Sequence, residues 1–167
     1  WLGYGVPMNF WRDPGKFMFA NQASCDEHED FIQKEIDQHL ADGSFKEVDE
    51  SFVKVCNPIH VNVNTKGKAR RCDDMRYTNA FLASPWFQMM AIKKDIPNLV
   101  EPGHEAATDD VEKAYYSVPM DDAALPYNCF YWKGKFYTSL VLLFGFCLAP
   151  YYFTKINRPI VVFLGVI

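Results

Sequence analysis

The sequence is short of several things that would place it quickly. It has no Cys-x-x-Cys pair, and its five cysteines (Cys25, Cys56, Cys72, Cys129 and Cys147) are odd in number, which argues against a disulfide framework or a structural zinc site. A reducing intracellular setting follows, without a choice between cytoplasm and nucleus. No signal peptide is visible. The longest uncharged apolar segment, residues 139–153, contains Gly145 and Pro150; it falls short of the roughly 18–20 residues that a membrane span needs, so no membrane partner is expected. There are no internal repeats and no low-complexity tracts. The net charge of −4 gives no general excess of basic residues for a nucleic acid.

What is present suits a packed fold. The 167 residues are 49% hydrophobic and 16% aromatic, enough for a core and too apolar for a disordered chain. The first residue is Trp1, the first methionine is Met8, and the sequence stops within an apolar run, so it reads as an excerpt from a longer polypeptide. Charge is unevenly spread. Lys66, Lys68, Arg70, Arg71 and Arg76 cluster against Asp73 and Asp74, whereas residues 101–122 carry seven acids against Lys113 alone. Basic and acidic patches in one small chain suit a site that handles phosphates with metal ions.

The pattern predicts an extended, aromatic-rich arm over 1–23. A capping box (Ser24 as N-cap, Glu27 three residues later) should open a helix to about Ala41, with Phe31, Ile32, Ile36 and Leu40 on one stripe. Short strands are expected over 52–55 and 59–63, with 68–75 returning as the second arm of a hairpin. Ser84-Pro85 should start a helix to about Lys93. A strand over 106–110, a short helix over 113–117, a hairpin of 128–132 with 135–141 around Lys133-Gly134, and a helix from Ala149-Pro150 to about Phe163 complete the reading.

Three segments carry the chemistry. The first is Gly67-Lys68-Ala69-Arg70-Arg71-Cys72-Asp73-Asp74-Met75-Arg76-Tyr77-Thr78-Asn79. The second is Asp110-Val111-Glu112-Lys113-Ala114-Tyr115-Tyr116-Ser117-Val118-Pro119. The third is Leu142-Leu143-Phe144-Gly145-Phe146-Cys147-Leu148-Ala149-Pro150-Tyr151-Tyr152-Phe153-Thr154-Lys155. In this order they resemble the fingers motif and polymerase motifs A and B of the reverse transcriptases of retroelements and retroviruses. The lead-in Gly43-Ser44-Phe45-Lys46-Glu47-Val48 and Asn57-Pro58 is similar too, so the resemblance covers roughly 24–164. The tail Thr154-Lys155-Ile156-Asn157-Arg158-Pro159 leans towards DIRS-like, tyrosine-recombinase retrotransposons.

The resemblance implies an α+β fold: right-hand polymerase fingers with an incomplete palm, an antiparallel sheet backed by helices. It divides the chain into the arm (1–23), fingers (24–105) and a partial palm (106–167). It implies template-directed DNA synthesis by two-metal nucleotidyl transfer, with Mg2+ or Mn2+, an RNA or DNA template-primer and deoxynucleoside triphosphates as partners. Hard divalent ions take oxygen ligands. Asp110 would be the catalytic carboxylate, with the Val111 carbonyl as a further ligand; taken alone, an Asp before a short helix reads as its N-cap, and the other two motifs in register turn the reading to a metal ligand. Lys68 and Arg70 would grip the triphosphate, the alternative being a solvated hairpin tip. Tyr115 would lie under the sugar and exclude a 2′-hydroxyl, the alternative being a core aromatic. Phe144 and Gly145 would line the nucleotide pocket, glycine allowing close backbone approach, or else belong to a buried connection.

The sequence departs from the family's pattern in places. Asp73 stands where an apolar residue is usual, and an extra acid there should weaken the hairpin's positive field. Leu143 replaces the proline usual before the Phe-Gly pair. Asp74 and Arg76 should brace the hairpin. No aromatic-x-Asp-Asp turn follows Pro150, so this segment alone should be catalytically incompetent. The rival readings are a non-catalytic remnant or nucleic-acid-binding module that keeps the fold, and an RNA-dependent RNA polymerase, disfavoured by the bulk of Tyr115.

Overall fold

The computed structural model describes residues 3–89, 103, 111 and 113–163, and for 160–163 the backbone only. The strand expected over 106–110, Asp110 itself and the end of the helix expected to reach Lys93 lie outside the described residues.

The hairpin around Lys133-Gly134 organises the largest sheet. Both turn residues have positive φ, 43° and 85°, as a two-residue turn matching the right-handed strand twist requires. It joins β6 (Cys129–Trp132) to β7 (Lys135–Ser139), with Phe130 opposite Tyr137. On one side β7 pairs antiparallel with β2 (Phe45–Val48). On the other, β6 pairs parallel with β3 (Val55–Cys56), and β3 with β1 (Phe17–Met18). The order is β1-β3-β6-β7-β2, so the α+β fold carries a mixed rather than purely antiparallel sheet. A separate antiparallel hairpin pairs β4 (Ile59–Val63) with β5 (Ala69–Asp73). Strands from either side of residue 105 therefore share one sheet.

The main core lies between that sheet, the β4–β5 hairpin and α1 (Glu29–Ala41). Ile32 and Ile36 of α1 are fully buried, and Phe31 and Leu40 pack beside them, which is the expected stripe. Each buried isoleucine contributes ~1.5–3 kcal/mol relative to exposure. A smaller cluster of Val53, Cys56 and Cys129 is packed by Val48 and Phe136. Two further helices are α2 (Arg76–Asn79) and α3 (Ala149–Phe163). All five cysteines are free.

Four local expectations are corrected. The capping box does not form: residues Ala23–His28 make a 3-10 helix ahead of α1, and no side chain caps either start. Ser24 instead accepts the Val61 N–H at 3.1 Å, so tertiary pairing with the hairpin takes the hydroxyl a cap would have used. The strand expected over 52–55 begins later. Asp49 and Glu50 accept the Phe52 and Val53 N–H groups, curling Glu50–Phe52 into a 3-10 turn and leaving Val55–Cys56 as the strand. β2 was not expected, because Lys46 and Glu47 in its centre break the apolar alternation; such charges protect a sheet edge, and Glu47 pairs across to Lys135 at 2.8 Å. Residues 84–89 form no helix. Trp86 and Met89 there are 87% and 55% exposed, and the half-buried Phe87 against Tyr151 is a single contact too small to offset the cost of helix nucleation.

Candidate functional site

The β4–β5 hairpin sorts its basic residues by strand alternation. Asn64 accepts the Lys66 and Lys68 N–H groups through its side chain, at 3.0 and 2.9 Å, and shapes the tip. Lys68 and Arg70 are exposed, and neither enters an ion pair among the described residues. Arg71 points inward. Its guanidinium sits 4.6 and 4.4 Å from the ring centroids of Phe45 and Phe130 and grips both Asp73 oxygens at 2.9 and 3.0 Å. Arg71 and Asp73 side chains are only 2% and 7% exposed. Asp73 thus pairs with an internal arginine, and Arg71 does not belong to the exposed basic face. Asp74 and Arg76 form a bidentate pair, shortest contact 2.6 Å, which holds the Asp74 carboxyl below its ordinary range.

The Phe-Gly segment docks on the root of this hairpin. A Cβ on Gly145 would stand 2.0 Å from the Asp73 carbonyl oxygen, so only glycine fits this approach. Asn79 at the end of α2 ties the same segment twice. Its amide donates to the Gly145 carbonyl at 2.8 Å, and its carbonyl oxygen accepts the Cys147 N–H at 3.1 Å. Leu143 is buried at 3%, so burial and the Asn79 clamp hold the loop where a proline would otherwise stiffen it. Asn57 anchors α2 in turn, accepting the Thr78 hydroxyl at 2.8 Å and donating to the Tyr127 carbonyl at 2.9 Å.

Tyr115 and Tyr116 lie in a 3-10 turn, Ala114–Ser117, and pack in opposite directions. Tyr115 meets Phe144 at 4.8 Å and Phe153 at 5.6 Å between centroids, while Phe144 stays 74% exposed. The structure therefore brings Tyr115, Phe144 and Gly145 together. Tyr116 stacks on His39 at 4.7 Å and 16°, and burial pushes its hydroxyl up to about 12. Val111 is 57% exposed. Asp110 lies outside the described residues, and among the described residues no three His, Cys, Asp or Glu side chains could hold a metal ion.

A concavity of about 400 Å³ has Gln22, His60, Asp74, Arg76, Asn79 and Gly145 in its lining. Tyr115 and Phe144 do not line it; ring contact, rather than this hollow, defines where the expected nucleotide residues meet. Sequence reading missed the roles of Asn79, Arg71, His39 and Asp42. Asn79 closes the fingers motif, which was a usable signal; the other three follow only from packing.

The chain matches no protein-family model and no curated protein sequence. Its fold is similar to solved structures of foamy virus protease-reverse transcriptase. One, in complex with double-stranded DNA, has a TM-score of 0.75 and 20% identity over 95% of this chain and 27% of that one. A second DNA complex gives 0.69 and 19% over 97% and 33%. The prototype foamy virus protein gives 0.69 and 17% over 97% and 21%. The chain thus spans about a third or less of the length of each of these proteins. It has a reverse-transcriptase-like α+β fold, with fingers and palm-like elements.

Proposed function

We propose that this chain is the N-terminal part of a reverse transcriptase, contributing the fingers and part of the palm to template-directed DNA synthesis. The observation that carries the reading is the docking of Gly145 on the Asp73 carbonyl together with the Phe144–Tyr115 ring contact. Segments far apart in sequence meet in the way a nucleotide pocket needs, beside a hairpin whose exposed cations, among the described residues, include Lys68 and Arg70. The fold likeness to reverse transcriptases, two of them solved with double-stranded DNA, supports a template-primer as partner.

In this reading Lys68 and Arg70 hold the triphosphate, Arg by a planar fork and Lys by a compact charge. The Tyr115 ring, braced by Phe153, lies under the sugar. Phe144 and Gly145 bring backbone against the nucleotide. Asp110 and the Val111 carbonyl offer oxygen ligands, which suit a hard divalent ion. Such an ion, Mg2+ or Mn2+, would lower the pKa of the primer 3′-hydroxyl and offset charge on the attacked phosphate.

Primer extension by the full-length polypeptide containing this segment tests the proposal. Asp110→Asn should reduce extension by at least about a thousandfold, on the order of removing a metal-site charge, while leaving template-primer affinity unchanged. Wild-type extension that survives this change would remove Asp110 from the reaction.

A further inference from the structure

The turn that presents Tyr115 is not held by its own residues alone. Lys113 begins it with φ of 51°, a left-handed conformation unusual for a side chain of this size. The Lys113 ammonium lies 3.3 Å from Asp42 Oδ2 at the end of α1. The same oxygen lies 3.3 Å from His39 Nδ1, and Asp42 Oδ1 accepts the Ser44 N–H at 3.0 Å. His39, 7% exposed, stacks face to face on Tyr116 and also meets Phe45 at 4.7 Å. The Tyr116 N–H in turn donates to the Lys113 carbonyl at 2.8 Å. The end of α1 therefore grips the turn twice, once through charge at Lys113 and once through ring stacking at Tyr116. Tyr115 stands between those two grips and faces the other way.

From this geometry we infer that Asp42, His39 and Lys113 are positioning residues for sugar selection, setting where the Tyr115 ring stands. Among the described residues, none of them makes a ring contact with Phe144 or Phe153. They act by fixing the backbone on which Tyr115 is mounted. A steric filter works only if the ring cannot retreat, and misplacement by about 1 Å is already costly where geometry sets the outcome. The inference rests on the proposed role of Tyr115.

The test measures kcat/KM for deoxynucleoside and ribonucleoside triphosphates on a primed template, using the full-length polypeptide. The ratio of the two is the readout, since loss of folded enzyme lowers both equally and cancels. His39→Ala should lower the ratio by about two- to tenfold, the range for losing an aromatic contact. Lys113→Met, at an exposed position that does not threaten folding, should lower it by about two- to fivefold, as expected for a half-exposed ion pair. Lys113→Arg, which keeps the charge, should restore the wild-type ratio. Tyr115→Ala is the reference. If it collapses the ratio while His39→Ala and Lys113→Met leave it unchanged, the brace is overturned and the role of Tyr115 stands. If Tyr115→Ala itself leaves the ratio unchanged, the role of Tyr115 is overturned and the brace falls with it.

Discussion

Arg71 shows how little a residue's type reveals of its use. It lies in a run of basic residues, where a solvated or phosphate-binding role is the natural expectation. Alternation along β5 turns it inward, onto two aromatic rings and the Asp73 carboxylate. Removing one member of a buried pair strands the other charge, at a cost of ~3–5 kcal/mol. Arg71→Met should therefore destabilise the fold by about that amount in urea unfolding, whereas Arg71→Met combined with Asp73→Leu should recover most of it. Equal losses in the single and double variants would contradict the pairing. His39 makes a second prediction. Burial lowers its pKa, with Arg71 and Lys113 adding to the effect and Asp42 opposing it. A histidine held neutral by the fold contributes stability that is fully present above its unfolded pKa, about 6.5, and is lost as pH falls below it. An NMR titration of the His39 ring should give a midpoint below that value, and His39→Phe should flatten the fall in melting temperature between neutral pH and pH 5. A midpoint above 6.5 would reverse the argument.

At the scale of elements, periodicity was a sound guide where one face of an element is buried and the other is not. The stripe on α1 follows from that, whereas β6 and β7 do not alternate in burial and owe their hairpin to the positive-φ Lys133-Gly134 turn; α3 starts at Ala149, as its Ala-Pro start suggested, and is helical through Phe163, the last described residue. It failed where partners distant in sequence decide the outcome. Ser24 serves the Val61 N–H rather than its own helix, and β2 exists because β7 accepts it at the edge despite Lys46 and Glu47. The loop before α3 is the clearest case of an element defined by another. Its Gly145 and Cys147 backbone groups are both satisfied by Asn79 of α2. Asn79→Ala should cost about 1–3 kcal/mol for two lost hydrogen bonds and raise hydrogen exchange at the Cys147 amide by about tenfold or more. Unchanged exchange there would show that Leu143 and Phe146 hold the loop unaided.

For the molecule as a whole, the motif order Lys68/Arg70, Tyr115, Phe144-Gly145 was legible before any coordinates, and so was the α+β fold. The contacts that assemble the site were not, because they join groups tens of residues apart: the Gly145 backbone to the Asp73 carbonyl, the Asn79 side chain to the Gly145 carbonyl, and the Lys113 ammonium to the Asp42 carboxylate. Spacing along a chain does not encode such meetings. Asp110, proposed above as the metal-binding carboxylate, lies outside the described residues, whereas Tyr115 and Phe144, proposed to face the sugar, lie within them. The most direct measurement is therefore single-nucleotide incorporation by the full-length polypeptide on a primed template, offered either a deoxy- or a ribonucleoside triphosphate. The account predicts template-directed incorporation that strongly prefers the deoxy sugar, and loss of most of that preference in Tyr115→Ala. Equal use of both sugars by the unaltered protein, or a preference untouched by removing the Tyr115 ring, would contradict it.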